Sequence, residues 1–226
     1  MYPKIFKRII DFLLSFTIIV IISPLLVFII VWLFFANKGD GVFFMQKRVG
    51  KKGKVFRICK FKSMTDEVDA NGVLLPDSKR LTKVGKFIRS TSIDELPQLL
   101  NILKGEMSLI GPRPLPLLYY PYYNEMELHR HDVLPGITGW AQVNGRKKVT
   151  WAEKLTYDVD YVHNISFALD LKIFWLTVYK VLKRSDVGVE TSGIVNFNDV
   201  REEEWRQQGR QDLINHAREE VQRNWK

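Results

Sequence analysis

The sequence holds a single cysteine, Cys59, among its 226 residues. One thiol closes no disulfide within the chain, and no paired Cys/His spacing offers a structural zinc site. A reducing, cytoplasm-facing location fits. No glycine-rich loop of the Walker or dinucleotide type is present, which removes ordinary kinases and dehydrogenases. The four histidines, His129, His131, His163 and His216, lie in no nucleophile motif, so a Ser-His-Asp arrangement has no support. Internal repeats and low-complexity tracts are also absent. What is present is apolar bulk: 46% of the residues are hydrophobic, including six Trp, eight Tyr and fourteen Phe. That composition excludes a disordered or fibrous chain, and the length fits one ordinary domain plus an appendage.

Acidic residues are nearly missing from one stretch. Between Asn37 and Lys62 nine Lys and Arg side chains face a single acid, Asp40, a local charge of +8 within a net +9. Charge alone fits nucleic acid, an anionic membrane or an acidic substrate. The preceding segment decides for the membrane. Phe12 to Ala36 is a run of 25 residues without a charge, longer than a secretory signal core and ending in bulky residues rather than a cleavage site. As a straight helix it would extend about 37 Å, enough to cross a hydrocarbon core of about 30 Å with tilt. Pro24 near its middle removes an amide donor and clashes with the carbonyl of Val20, which favours a sharp bend, and the Ser23 hydroxyl can satisfy part of the freed backbone. Basic residues flank both ends, with Lys4, Lys7 and Arg8 before the run. The positive-inside rule then places both ends in the cytoplasm. The segment reads as a re-entrant helix-hairpin broken at Ser23-Pro24, and the protein as monotopic.

The fold class expected is α+β, a small mixed catalytic domain on that hairpin with interfacial amphipathic helices. The divisions expected are 1–36 for the membrane hairpin, 37–190 for a cytoplasmic domain at the membrane interface and 191–226 for a charged helical tail. Val42–Met45 and Val55–Cys59 read as strands around a basic Gly50–Gly53 turn. Thr65–Lys79 reads as a loop, Leu81–Arg89 and about Ser92–Leu103 as helices, with Gly105 as a C-terminal cap. The cluster Tyr119, Tyr120, Tyr122 and Tyr123 suits either the headgroup layer or an ordinary core. Pro135–Arg146 reads as turn, short strand and tight Asn144-Gly145 turn, and Trp151–Val162 as a helix. Phe167–Arg184 is broadly apolar with Lys172, Lys180 and Lys183 along one side, a pattern that suits the membrane interface or a buried core helix. In the final stretch Leu213, Ala217, Val221 and Trp225 recur every fourth residue, as on a surface or partner-binding helix interrupted before it by Gly209.

Four short segments concentrate reactive groups: Cys59 to Met64, Arg89 to Pro97, Gly111 to Pro114 and Asn144 to Arg146. Ser92-Ile93-Asp94-Glu95 matches a capping box, in which acids of the first helical turn serve the helix dipole. The same placement would keep Asp94 ionised beside amides that attract phosphate, where a carboxylate can act as nucleophile or magnesium ligand. Lys60, Arg89, Arg113 and Arg146 read singly as solvated cations. Arg113 fits that reading least, because Pro112 and Pro114 hold its backbone stiff and lower the entropic cost of gripping a phosphate.

Taken together, the Ser23-Pro24 hairpin, Lys60-Phe61-Lys62-Ser63-Met64, Asp94 to Leu99, Lys104 to Pro114 and Pro135 to Arg146 resemble, in order and spacing, the bacterial monotopic polyprenyl-phosphate phosphoglycosyl transferases. The resemblance covers residues 1 to about 190 and is similar in extent to the small members that initiate bacterial N-glycosylation. One departure is Lys62-Ser63, where many relatives read Arg-Thr. The resemblance implies a reaction in which a UDP-sugar gives its phosphosugar to undecaprenyl phosphate, with release of UMP, at the cytoplasmic face of the bacterial inner membrane. It implies Asp94 as covalent nucleophile, Glu95 as its dyad partner, Mg2+ as cofactor held at Asp94, and Lys60, Arg89, Arg113 and Arg146 as phosphate-binding residues. An N-acetylated amino sugar is favoured, nucleic acid is not expected as a partner, and a homodimer is compatible. Two other readings stand beside it: a non-catalytic membrane-anchored protein that binds anionic lipid or nucleic acid, and direct transfer without a covalent intermediate.

Overall fold

The computed structural model describes residues 1–37, 39–145, 149–183 and 196–224. A π-helical turn at Tyr2–Phe6 leads into α1 (Lys7–Ala36), a single uninterrupted helix with Pro24 inside it. The expected break into two helices at Ser23-Pro24 is therefore not seen in the hydrogen-bonding pattern. The physical reason is local repair: the Ser23 hydroxyl donates to the Val20 carbonyl at 2.8 Å, the acceptor that Pro24 leaves without its helical donor. Asp11, Ser15, Ile29 and Leu33 fall on one buried stripe of α1, while Leu13, Phe16, Val20, Val27, Phe28 and Val31 are exposed on the rest. Such an exposed aliphatic face requires lipid or another apolar cover.

Both halves of α1 pack on the same domain. Ile18, Ile19 and Ile22 join a core of Phe56, Ile58, Leu99, Ile102 and Met107. Leu26, Ile29, Ile30 and Leu33 join Phe61 and Ile88. Its ends are fastened too. Arg8 donates to the carbonyls of Ile102 and Leu103, and the fully buried Asn37 donates to those of Gly41 and Lys62.

Two strands follow as expected but longer, β1 (Phe43–Val49) and β2 (Val55–Phe61), paired antiparallel from Phe43 opposite Phe61 to Val49 opposite Val55. The basic turn between them reverses through left-handed Lys52 and Gly53. The loop after β2 ends in the short α2 (Asp77–Arg80) and leads to α3 (Lys83–Ser90), capped by the Thr82 side chain. Gly85 lets α3 lie directly on the Lys60–Met64 segment, since a Cβ there would sit 1.8 Å from the Ser63 carbonyl oxygen. A one-turn helix at Ile93–Glu95 precedes α4 (Gln98–Lys104), which ends at left-handed Gly105 as expected.

The short parallel pair β3 (Ser108–Ile110) and β4 (Gly136–Thr138) joins two distant motifs. A Cβ at Gly136 would stand 2.1 Å from the Gly111 amide nitrogen, and one at Gly139 2.2 Å from the Gly111 carbonyl oxygen. Only glycine permits this approach, which sets the rigid turn bearing Arg113. Between the strands lies α5 (Glu125–Leu128). After β4 the expected Asn-Gly hairpin turn is instead α6 (Trp140–Asn144), ending at Gly145. Then come α7 (Trp151–His163), opened by a Thr150/Glu153 capping box, and α8 (Phe167–Lys183). On α8, Asp170 and Ile173 are buried, whereas Phe167, Leu171, Phe174, Trp175, Tyr179 and Leu182 are exposed at helical spacing.

The terminal region forms two helices, α9 (Phe197–Gln207) and α10 (Gln211–Asn224), separated by left-handed Gly209. They cover Tyr119, Tyr122 and Tyr123: Phe197 and Ala217 join these tyrosines and Leu155 in one core. Three of the four clustered tyrosines thus serve as ordinary core, and Ile214 and Ala217 of α10 face the domain rather than a foreign partner.

Candidate active site

The segment Ser92 to Pro97 does not make the capping box its sequence suggests. Ser92 adopts a left-handed backbone (φ 56°) and its side chain caps nothing. For a residue with a Cβ this conformation costs of the order of 1 kcal/mol and persists only where the surroundings impose it. The consequence is that Asp94 and Glu95 are presented on a tight turn instead of at the start of a long helix.

Glu95 is fixed by two cations. Its Oε1 accepts from Lys60 Nζ at 2.7 Å and from an Arg113 guanidinium nitrogen at 2.8 Å. Lys60 comes from β2 and Arg113 from the turn after β3, so this carboxylate ties the two sheets together. Asp94 is different: it has no hydrogen-bond or ion-pair partner among the described residues. Burial first, and then the charge of Glu95, push its carboxyl up to about 6, against the opposing pull of Lys60, Arg89 and Arg113. Glu95 is itself partly buried, but the charges of Arg113 and Lys60 outweigh burial and hold it down at about 2. Neighbouring carboxylates driven apart in this way form the pattern that separates a reactive group from an electrostatic one.

Arg89, from the last turn of α3, donates from Nε to Ser63 Oγ at 2.8 Å and points a second nitrogen at Met64 Sδ, 3.8 Å away. Of the residues singled out in the sequence, the structure brings Lys60, Arg89, Asp94, Glu95 and Arg113 to one cleft of about 1250 Å³. Arg146 lies outside the described residues. The cleft is two-sided in character: Ile10, Leu14 and Ile18 of α1 and Leu171 and Phe174 of α8 form apolar walls against the charged group. Gln46 and Arg48, which sequence reading passed over, also line it; the alternation of Phe44, Gln46 and Arg48 on β1 was the available signal.

Among the described residues no three His, Cys, Asp or Glu side chains gather to hold a metal ion. What the site offers a hard cation is the single unbonded carboxylate of Asp94. That suits magnesium, which is commonly held by one or two carboxylates together with substrate phosphates rather than by a full protein cage.

A sequence model of the family described as bacterial sugar transferase matches residues 2–184. The chain belongs to that family. Among bacterial sugar transferases and their relatives, it is 60% identical over 144 residues to the uncharacterised sugar transferase EpsL of Bacillus subtilis (strain 168), a match covering 64% of this chain and 71% of that protein. It is 42% identical over 186 residues to a UDP-glucose:undecaprenyl-phosphate glucose-1-phosphate transferase of Klebsiella pneumoniae, covering 78% of this chain and 40% of the relative. It is 39% identical over 184 residues to a UDP-N-acetylgalactosamine-undecaprenyl-phosphate N-acetylgalactosaminephosphotransferase of Aeromonas hydrophila, covering 78% of this chain and 43% of the relative. The bacterial sugar transferase described here therefore spans less than half the length of the latter two.

Proposed function

We propose that this chain is a phosphoglycosyl transferase that moves a phosphosugar from a UDP-sugar to undecaprenyl phosphate, through a covalent intermediate on Asp94. The observation that carries the reading is the contrast between Asp94, unbonded and raised to about 6, and Glu95, clamped by Lys60 and Arg113, within a cleft that is charged on one side and apolar on the other. At pH 7 Asp94 is mostly ionised and its oxygens are not committed elsewhere. One oxygen attacks the phosphorus bearing the sugar, the bond to the nucleotide phosphate breaks, and UMP leaves with that electron pair. The lipid phosphate then attacks the same phosphorus and frees Asp94, yielding undecaprenyl-diphosphate sugar. Lys60, Arg89 and Arg113 offset the phosphate charge throughout, and Glu95 orients two of these cations. Magnesium, held by Asp94 and the substrate phosphates, would supply further charge neutralisation when bound.

The anchoring reading follows from packing. Both halves and both ends of α1 are fastened to a single domain, which supports a helix that enters and leaves through one leaflet, re-entrant at Ser23-Pro24, over one that spans. The exposed apolar face of α8 and the basic β1–β2 hairpin suit the cytoplasmic headgroup layer of the inner membrane, where each well-placed basic residue contributes about 1 kcal/mol. The printed names of relatives include both a hexose and an N-acetylated amino sugar. The test is to supply purified protein in lipid nanodiscs with undecaprenyl phosphate, magnesium and a panel of UDP-sugars. UMP release with one donor, lost on chelation and restored by magnesium, is expected; no release with any donor would refute the assignment.

A further inference from the structure

The steps above use Lys60, Arg89 and Arg113 and leave Arg48 without a role. Arg48 stands on β1 with Phe44 and Gln46, all three lining the cleft. Its backbone pairs with Phe56 across the hairpin and bridges to Pro116, which places it beside the segment that follows Arg113. The guanidinium donates to the Gln46 side-chain oxygen, its only side-chain hydrogen-bond partner among the described residues. Its Nε is buried with no acceptor, and it has no carboxylate partner among the described residues. Lys60 and Arg113, by contrast, share Glu95, and although Arg89 also has neutral partners, its Nε is satisfied by Ser63, so the unpartnered buried Nε sets Arg48 apart from these three.

An unneutralised guanidinium facing a second cation is costly in the free protein and is relieved by an anion placed between them. Burial, and then the charge of Arg113, hold the Arg48 pKa down to about 10, in keeping with that arrangement. The Gln46 amide nitrogen has no partner among the described residues and is free to donate to the same anion. Position along the strand says which anion. Lys60 is opposite Phe44, so Arg48 lies four residues further along β1, about 13 Å at about 3.3 Å per residue. At that end its neighbours are Tyr119 and Tyr123, whose core is closed by α9 and α10 and includes no residue of the membrane helix. The apolar walls from α1 suit the lipid, whereas this end suits the water-soluble donor.

We propose that Arg48, with Arg113, grips the nucleotide-side phosphate of the donor and holds the departing nucleoside monophosphate. The assignment rests on the transfer reading above. As the Asp94 oxygen bonds to the sugar-bearing phosphorus, the phosphoanhydride oxygen departs with the nucleotide and carries the new negative charge. Arg48 meets that charge, so it serves the first displacement and not the second.

The test measures UMP affinity by calorimetry and the two half-reactions separately, in wild type, Arg48→Gln and Arg48→Lys. Expected are UMP binding weakened about tenfold or more by Arg48→Gln and less by Arg48→Lys, a matching slowing of adduct formation from UDP-sugar without lipid, and unchanged discharge of the preformed adduct to undecaprenyl phosphate. Should Arg48→Gln fail to fold, Arg48→Lys carries the test. Unchanged UMP affinity overturns the assignment, and so does slowed discharge, which would give the guanidinium to the lipid phosphate. A wild-type protein that forms no adduct and releases no UMP would instead remove the transfer reading itself.

Discussion

Asp170 and Asp94 line the same cleft, one on α8 and the other on the turn before α4. Around Asp170 every oxygen is used. One accepts from the Tyr2 hydroxyl at 2.6 Å and from Lys7 Nζ at 2.7 Å, the other from the Tyr161 hydroxyl at 2.7 Å. This fastens Tyr2 and the start of α1 to α7 and α8. Around Asp94 the cations are close enough to oppose the rise in its pKa, yet none bonds to it, because Glu95 has taken two of them. A cluster that holds the fold satisfies its acid completely. The cluster around Asp94 leaves its acid short of partners, as the proposed reaction requires, at a cost in stability.

The largest expected effect breaks the second cluster alone: Asp94→Asn should lower UMP release by at least about a thousandfold, since the amide is no nucleophile. A discontinuous assay with the productive UDP-sugar reads this, and residual turnover near wild type would end the covalent account. In the first cluster, Asp170→Ala should cost about 3–5 kcal/mol of stability, by leaving the Lys7 ammonium, only 12% exposed, without its main counter-charge. Denaturant unfolding in detergent measures it.

Next comes a change of opposite sign. The folded-state pKa of Asp94 lies above the unfolded value of 3.8, so the folded protein binds the extra proton and loses stability as pH rises from about 4 to about 6. Asp94→Asn should therefore be more stable than wild type at pH 7, by about 2 kcal/mol after discounting for partial exposure, and the difference should vanish near pH 4. An inactive variant that is also less stable at pH 7 would contradict the contrast. The smallest effect sharpens the dyad. The wild-type rate of the first displacement should fall below about pH 6 as Asp94 protonates. Glu95→Gln removes the neighbouring negative charge and releases Lys60 and Arg113 toward Asp94, so the acidic limb should move to lower pH, even though the rate on its plateau drops. A pH–rate profile of adduct formation checks this.

Much of the site was legible because its parts are local. Asp94-Glu95, the proline-flanked Arg113 and the Lys60 segment each carry their own backbone signature, and the glycines at 111, 136 and 139 explain why two motifs far apart in the chain must meet. The pattern at Ser92 misled because a capping box and a left-handed turn share one sequence; only the pull of Lys60 and Arg113 on Glu95 distinguishes them. Asn144-Gly145 similarly closes a short helix rather than a hairpin, since β4 pairs with β3 and not with a following strand. The roles of Tyr119, Tyr122 and Tyr123 depend on α9 and α10 folding back over them, which no local pattern states. Pro24 suggested a break in α1 that the structure does not show, because Ser23 reaches the Val20 carbonyl and the helix runs on through the proline.

The most direct measurement is the intact mass of the purified protein after incubation with magnesium and its UDP-sugar, with the lipid acceptor left out. The account predicts a gain of one phosphosugar, mapped to the peptide bearing Asp94, absent in Asp94→Asn and lost on adding undecaprenyl phosphate. UMP release at full rate that requires the acceptor, with no mass gain at any time, would contradict it.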